Sequence, residues 1–233
     1  MSHIHLPDGV LPTSWWLLAY IAAFIWLYAA LRQAESEKVK RRLPFLAAMS
    51  TLMLLTMSVP LGPLPIHLNL AVLAGIVVGP WLGFVAVFVV NIMLSFLGHG
   101  GLTAVGINSL LIGLEVALGW WCYHRLFRYW RFSWRTVMAT GVALLLTSVL
   151  AVSVISLSTG VFHFNWHAHS HEEVGVEEAA AIDIQPHFLG ISGVAAFALI
   201  LICGLVVEVI ATLGITGYLQ KVRPELLIEE MDA

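Results

Sequence analysis

The stretch 68-LNLAVLAGIVVG-79 is followed directly by 80-PWLGFVAVFVVNIMLSFL-97, so two apolar runs meet at a glycine and a proline. About twenty residues are needed for a helix to cross a bilayer, and the first run falls well short of that length. Because a short helix at membrane depth must be shielded from lipid, we expect this run to pack inside a bundle. Short or broken helices of this kind favour a binding site nearby.

The chain as a whole is strongly apolar, with 60% hydrophobic residues, 11% charged residues and a mean hydropathy of +0.91 over 233 residues. This composition excludes a soluble globular protein. It predicts an all-α integral membrane protein with about seven transmembrane helices, one of them short, in a single domain over residues 1–233. The expected spans are roughly 14–31, 44–60, 68–79, 81–97, 102–124, 136–158 and 188–218.

Positive charges give the expected orientation. All eleven Lys and Arg residues follow the first, fifth or seventh span, in segments 32–42, 125–135 and 221–223. The positive-inside rule places these segments in the cytoplasm, so the amino terminus is expected outside and the carboxyl terminus inside. Of the ten histidines, all except His124 then fall on the outer face.

The first twelve residues, Met1-Ser-His-Ile-His-Leu-Pro-Asp-Gly-Val-Leu-Pro12, look like a metal-chelating arm. An α-amine, an amide nitrogen and the following imidazole close fused chelate rings in a plane, and such nitrogen donors favour Ni(II) or Cu(II). If Met1 is removed, the Ser2 amine and His3 supply three donors and leave one place for another histidine. If Met1 is retained, the Met1 amine, the amides of Ser2 and His3, and the His3 imidazole fill all four. A flexible polar terminus is the alternative reading.

Further candidates lie along the predicted outer face. His67 precedes the short span among apolar neighbours, where a neutral imidazole is favoured and can act as a ligand. His99, in the glycine-rich turn Gly98-His-Gly-Gly101, is a weaker candidate that could orient a ligand or Asp8. The tract from His163 to His171, in the predicted outer loop 159–187, is either a weak metal-binding segment or a solvated linker. Within the spans, Asn69, Asn91, Asn108 and Glu115 are polar, and Glu115 is either functional or merely protonated and bonded to a neighbour.

Two motifs carry a family resemblance. The run from His5 to Pro12 resembles the amino-terminal His-Ile-Pro-Asp/Glu-Gly signature of the CbiM/NikM family, the substrate-binding membrane components of energy-coupling factor transporters for cobalt and nickel. Residues 97–108, LGHGGLTAVGIN, are similar to that family's Phe-Gly-Asp-Gly-Gly-Leu-Thr-Ala-Leu-Gly-Ala-Asn block. The resemblance implies seven transmembrane helices, an external amino terminus and a planar metal site made by the terminal amine, an N-terminal histidine and a histidine matching His67.

The chain departs from the family pattern at both motifs. The histidine aligned with the family's second residue is His5, so extra residues separate it from the amine. Either His3 takes over the chelating role with His5 as an added ligand, or His3, His5 and His67 bind mainly through side chains. His99 replaces an aspartate of the family block. The metal candidates are therefore His3, His5, His67, the Ser2 amine if Met1 is removed, and His99.

These observations predict a substrate-binding component that captures Ni(II) or Co(II) as transported substrate at the cytoplasmic membrane, without a catalytic cofactor. The resemblance implies a transmembrane coupling protein and cytoplasmic ATPase subunits as partners, and allows a small accessory membrane subunit; no nucleic-acid partner is expected. The sequence contains no Gly-x-x-x-x-Gly-Lys-Ser/Thr loop, so we expect no ATPase activity from this chain. A membrane metal sensor or buffer and a membrane metalloenzyme are the alternatives.

Overall fold

The computed structural model of the protein describes residues 8–9, 11–33, 42–59, 67–159 and 193–227. These residues form seven α-helices and no β-strand, as the apolar runs predict. The helices are α1 (Thr13–Gln33), α2 (Leu43–Ser58), α3 (Ala71–Val78), α4 (Pro80–Phe96), α5 (Val105–Trp121), α6 (Phe132–Thr159) and α7 (Gly193–Val222). A π-helical turn, Cys122–Leu126, continues α5, and a short 3-10 turn, Pro224–Leu226, follows α7.

Four of these helices are long and apolar enough to cross a membrane: α1, α5 with its π-turn, α6 and α7. Helices α2 and α4 are also apolar, with 16 and 17 residues. Many apolar side chains of the helices face outward. On α1, for example, Leu18 and Ile25 are both more than 60% exposed. Exposed aliphatic side chains on helices of this length are what a lipid environment stabilises, so the fold is that of an all-α membrane protein.

Helix α3 is the short helix that the sequence predicts at 68–79, and it is fully enclosed. All eight of its residues are buried. It packs mainly against α5 and α4, with α2 on another side. Gly79 ends it with a φ of +87°, a conformation natural to glycine, and Pro80 begins α4 at once. The prediction that this run is shielded from lipid by its neighbours is confirmed.

The close approach of α3 to α5 depends on glycine. A Cβ atom on Gly75 would lie 2.4 Å from the carbonyl oxygen of Val116, far inside normal contact. Glycine also allows close packing between α1 and α5, where a Cβ on Gly106 would lie 2.8 Å from the backbone nitrogen of Tyr20. Gly75 thus packs against a helix of the same chain. The sequence alone does not tell whether such a glycine contacts an internal helix or another subunit. Helix α5 is the axis around which α1, α3, α4 and α6 pack.

Trp120, Trp121 and Tyr123, near the end of the predicted fifth span, are typical of an aromatic belt at the membrane interface. For Tyr123 this prediction is wrong, because its side chain is only 1% exposed. The guanidinium of Arg135 lies over its ring at 3.8 Å, and Arg135 Nε donates a hydrogen bond of 2.6 Å to the Tyr123 carbonyl. The π-turn rotates Tyr123 into the bundle, where it joins the start of α6 to the end of α5. Trp121, by contrast, is 49% exposed, as an interfacial anchor should be.

Candidate metal-capture site

His67 stands at the entrance to α3. It lies four residues before Ala71, in a segment without regular secondary structure that follows α2 in the chain. Leu70, which immediately precedes α3, has a φ of 57° and is the one described non-glycine residue with positive φ. Left-handed backbone is costly for a branched residue. The Leu70 side chain is 1% exposed, so packing holds this turn in place and with it the position of His67.

The His67 ring is half-buried and faces another imidazole. Its centroid lies 5.8 Å from that of His99, with the two rings nearly perpendicular at 80°. Burial, followed by the charge of His99, lowers the pKa of His67 below its usual 6.5, and backbone groups of Met57 and Val59 act in the opposite direction. A lowered pKa keeps the imidazole neutral, which is the state that binds metal.

His99 belongs to the loop between α4 and α5, which also receives the arm. The Asp8 carboxylate accepts hydrogen bonds from the Thr103 backbone N–H at 2.7 Å and from the Thr103 hydroxyl at 2.6 Å. Its second oxygen accepts the Leu102 backbone N–H at 3.2 Å. These bonds, that of the Thr103 hydroxyl first, hold the pKa of Asp8 below its usual 3.8. The docking that depends on the Asp8 charge is therefore present above pH 3.8 and is lost as pH falls through the lowered pKa.

Two neighbouring residues, Gly101 and Tyr20, fix the place where Asp8 binds the loop. A Cβ on Gly101 would lie 2.2 Å from Asp8 Oδ1 and 2.3 Å from the Asp8 backbone nitrogen, so the arm can approach only a glycine here. The Tyr20 hydroxyl, on α1, donates a hydrogen bond to the Leu102 carbonyl. The same peptide turn is thus bonded by Asp8 from one side and by α1 from the other. The bonds to Asp8 in the described residues come from Leu102 and Thr103, and a role of His99 in orienting a ligand stays a prediction.

The other predicted ligands, His3, His5 and the Ser2 amine, lie outside the described residues, as does the tract from His163 to His171. Among the residues that the structure describes, no three His, Cys, Asp or Glu side chains form a metal-binding group. The structure brings together His67 and His99, and it seats Asp8 on the loop that carries His99. Asp8 is three residues from His5, and three residues of extended chain reach roughly 10 Å.

A second set of polar groups lies deeper in the bundle. Asn69 Nδ2 donates a hydrogen bond of 3.3 Å to Glu115 Oε1, and the Leu70 backbone N–H donates one of 2.9 Å to Glu208 Oε1. Glu115 is therefore bonded to a residue that lies only two positions after His67 in the chain. The sequence reasoning missed Glu208, although a single carboxylate in the middle of the apolar run 188–218 carries the same signal as Glu115.

The comparisons with known proteins agree with this architecture. A family model described as the cobalt uptake substrate-specific transmembrane region, CbiM, matches residues 5–226. The cobalt transport protein CbiM of Sorangium cellulosum is 31% identical over 180 residues, which are 68% of this chain and 79% of that protein. The fused nickel transport protein NikMN of Rhodobacter capsulatus is 26% identical over 234 residues; that match covers 96% of this chain and 64% of the fused protein.

Solved structures give the same fold. A truncated transition metal transporter superposes with a TM-score of 0.70 at 19% identity, covering 94% of this chain and 99% of the other. A second transition metal transporter gives a TM-score of 0.71 at 20% identity, covering 94% and 93%. The resemblance drawn from the two motifs is confirmed over nearly the whole sequence. This chain is a member of the CbiM family of membrane proteins.

Proposed function

We propose that this chain is the substrate-binding membrane component of an energy-coupling factor transporter that imports Ni(II) or Co(II). Membership of the CbiM family supports transport of these metals. The observation that carries the proposal is the junction of three features at one end of the bundle. A half-buried imidazole of lowered pKa, His67, faces His99, and the loop of His99 holds the root of the N-terminal arm through Asp8.

The capture step follows from this arrangement. His3 and His5 approach from the arm, together with the Ser2 amine if Met1 is removed, and His67 supplies a donor from the fixed part of the bundle. A square of nitrogen donors suits Ni(II), and Co(II) accepts imidazole as well. His99 lies close enough to His67 to act either as an additional ligand or as the group that fixes the ring. Every donor must be deprotonated, so binding releases protons.

The amino terminus and the site face outward in this proposal, at the cytoplasmic membrane, and the carboxyl terminus faces inward. A transmembrane coupling protein and cytoplasmic ATPase subunits supply the energy. Release of the metal then requires the donor set to be broken, by withdrawal of the arm or of the segment that bears His67. The lipid bilayer is the remaining partner, through the exposed apolar faces of α1 and α7.

The test combines binding with uptake. The whole chain, purified in detergent, is titrated with Ni(II) and with Co(II) while an intact mass reports whether Met1 is present. His67→Ala is expected to lower affinity at least tenfold, because a ligand position is lost. His187→Ala, another histidine of the predicted outer face, is the matched control and should leave affinity unchanged. Equal affinity of wild type and His67→Ala would refute the ligand role.

Uptake of labelled metal separates a transporter from a sensor or buffer. Cells that carry the chain with the coupling protein and ATPase subunits are expected to accumulate Ni(II) or Co(II). Cells that carry His67→Ala should not. Normal binding by the purified chain, without any uptake in the presence of those partners, would favour the buffer instead.

A further inference from the structure

Two buried carboxyl groups lie on either side of the Asn69–Leu70 segment inside the bundle. Glu115 lies near the middle of α5 and Glu208 near the middle of α7, and each is 0% exposed. The same short segment of chain bonds both of them, because the Asn69 side chain donates to Glu115 and the backbone N–H groups of Asn69 and Leu70 donate to Glu208. Two carboxylates in a water-free interior are very costly unless protons or a cation neutralise them. Such a pair in a membrane bundle is therefore a candidate site.

Four parts of the chain converge on this pair. Asn69 Nδ2 and the Thr147 hydroxyl each donate to a different oxygen of Glu115, both at 3.3 Å. The backbone N–H groups of Leu70 and Asn69 donate to Glu208 at 2.9 Å and 3.5 Å. The segment before α3, together with α5, α6 and α7, thus surrounds one polar centre inside an apolar bundle.

Two buried oxygen atoms near these carboxyl groups in the chain, one on Asn69 and one on Thr212, have no hydrogen-bond partner among the described residues. Asn69 is 1% exposed, and its Oδ1 atom has no hydrogen-bond partner among the described residues, although its Nδ2 atom is bonded to Glu115. Thr212 lies one helical turn after Glu208 and is 0% exposed, and its hydroxyl is likewise unsatisfied within the part of the chain that the structure describes. An amide oxygen can only accept, so it calls for a donor or a cation. Buried polar atoms left unsatisfied in this way need an explanation.

We propose that Glu115, Glu208 and Asn69 form an inner binding site for a divalent cation, distinct from the histidines at the arm. Two carboxylates neutralise a doubly charged ion, and the ligands are all oxygen, a donor set that suits Mn(II) and other hard ions. Ni(II) and Co(II) prefer nitrogen donors, so the inner site holds them more weakly than the histidines do. Weak, oxygen-based binding is appropriate for a site that a transported ion occupies briefly.

The position of the site fits that role. Asn69 is two residues from His67, so one short segment connects the outer imidazole to the inner carboxylates. Glu115 is ten residues into α5, roughly 15 Å along the helix axis, which is about half the thickness of the hydrocarbon core. The inner site therefore lies on the way from the capture site to the far side of the membrane. This use of the site in transport depends on the proposed function, whereas the cation site itself does not.

The direct test uses Mn(II) and the whole purified chain. Electron paramagnetic resonance counts bound Mn(II) in wild type and in His67→Ala, which removes a proposed outer ligand. Both are expected to bind one Mn(II) in the inner site, with an echo-modulation spectrum that lacks imidazole nitrogen couplings. Glu115→Gln/Glu208→Gln should lose this ion, and Glu225→Gln, an exposed glutamate paired with Arg223, is the matched control.

A second variant, Asn69→Ala, tests the site even if the double glutamine variant does not fold. Asn69→Ala keeps both carboxylates and removes only the amide, and it is expected to weaken Mn(II) binding about tenfold. Failure of wild type to bind Mn(II), equal loss in Glu225→Gln, or imidazole couplings from the bound ion would each overturn the inner site. If Glu115 and Glu208 are instead protonated and serve only to stabilise the fold, wild type would not bind Mn(II).

The two proposals can fail independently. If the inner site is wrong, tight Ni(II) binding that depends on His67 persists while Mn(II) does not bind. If the proposed capture site is wrong, Mn(II) binds and Ni(II) does not respond to His67→Ala. With both correct, Glu115→Gln/Glu208→Gln retains outer Ni(II) binding in detergent, and its uptake rate with the partner subunits falls at least tenfold. Unchanged uptake by that folded variant would overturn the place of the inner site in transport.

Discussion

Replacement of Gly75 by alanine tests the close contact that seats α3. The new Cβ would lie 2.4 Å from the Val116 carbonyl oxygen and 3.2 Å from its carbonyl carbon, both backbone atoms that cannot rotate away. Normal contact requires roughly 3.5 Å, so α3 and α5 must separate by about 1 Å. Overpacking of this kind costs about 1–3 kcal/mol. Separation would also displace the segment that carries His67.

Gly141→Ala is the matched control because Gly141 lies within α6 and a Cβ there meets nothing within 4 Å. Both substitutions gain the same helix propensity, up to about 1 kcal/mol, so the difference between them isolates the clash. For a chain of this size each kcal/mol shifts the unfolding midpoint by roughly 2–4 °C. Gly75→Ala is thus expected about 2–12 °C below Gly141→Ala.

The assay is thermal unfolding followed by circular dichroism in one detergent at one scan rate, since unfolding of membrane proteins is often irreversible. Metal affinity measured on the same samples should fall for Gly75→Ala and stay unchanged for Gly141→Ala. A midpoint for Gly75→Ala equal to or above that of the control would refute the reasoning, because the backbone contact would then carry no cost.

Four further outcomes are expected. Gly101→Ala should displace Asp8 and weaken Ni(II) binding without a large change in the unfolding midpoint, measured by titration and circular dichroism. Asp8→Asn should act in the same direction, because a neutral amide with one acceptor oxygen cannot replace the three charge-assisted bonds of the carboxylate. Tyr20→Phe removes the hydrogen bond to Leu102 and should cost about 0.5–1.5 kcal/mol of stability, read from the thermal midpoint; no change would show that water replaces the bond. The lowered pKa of His67 means that the unfolded state binds a proton first as pH falls, so folding stability should decline from pH 6.5 down to that lowered pKa and be constant above pH 6.5. A midpoint profile in His67→Ala that declines as steeply as wild type would contradict this assignment.

Most of the helical architecture could be predicted from the sequence because lipid imposes a simple rule. Each span needs a long apolar run, and the run at 68–79 is visibly too short, so its burial could be foreseen. The predicted bounds of α1, 14–31, fall within the observed Thr13–Gln33. The wrong assignment of Tyr123 has a local cause, since the π-turn at Cys122–Leu126 changes the direction of its side chain, and no apolar pattern marks that turn.

The candidate site could be predicted only in part. His67 and His99 stand out because each lies at the predicted outer end of an apolar span, but their contact depends on two loops that are far apart in sequence. The seat of Asp8 depends on the absence of a side chain at Gly101, which is a tertiary requirement. Glu208 was visible as an ionisable residue in an apolar run. Its proximity to Glu115 was not visible, because it depends on how α7 packs against α6 and on the Asn69–Leu70 segment that bonds both carboxyl groups.

The enclosure of α3 has a consequence for biosynthesis. Eight residues of helix span only about 12 Å, so this segment cannot partition into a bilayer by itself as it leaves the ribosome. One side of α3 packs against Val116 of α5, a helix that is synthesised later. The eight residues therefore reach their buried position only after that later helix has been made and inserted. Membrane insertion and acquisition of the His67 geometry are consequently separate events, and the second completes only after the first.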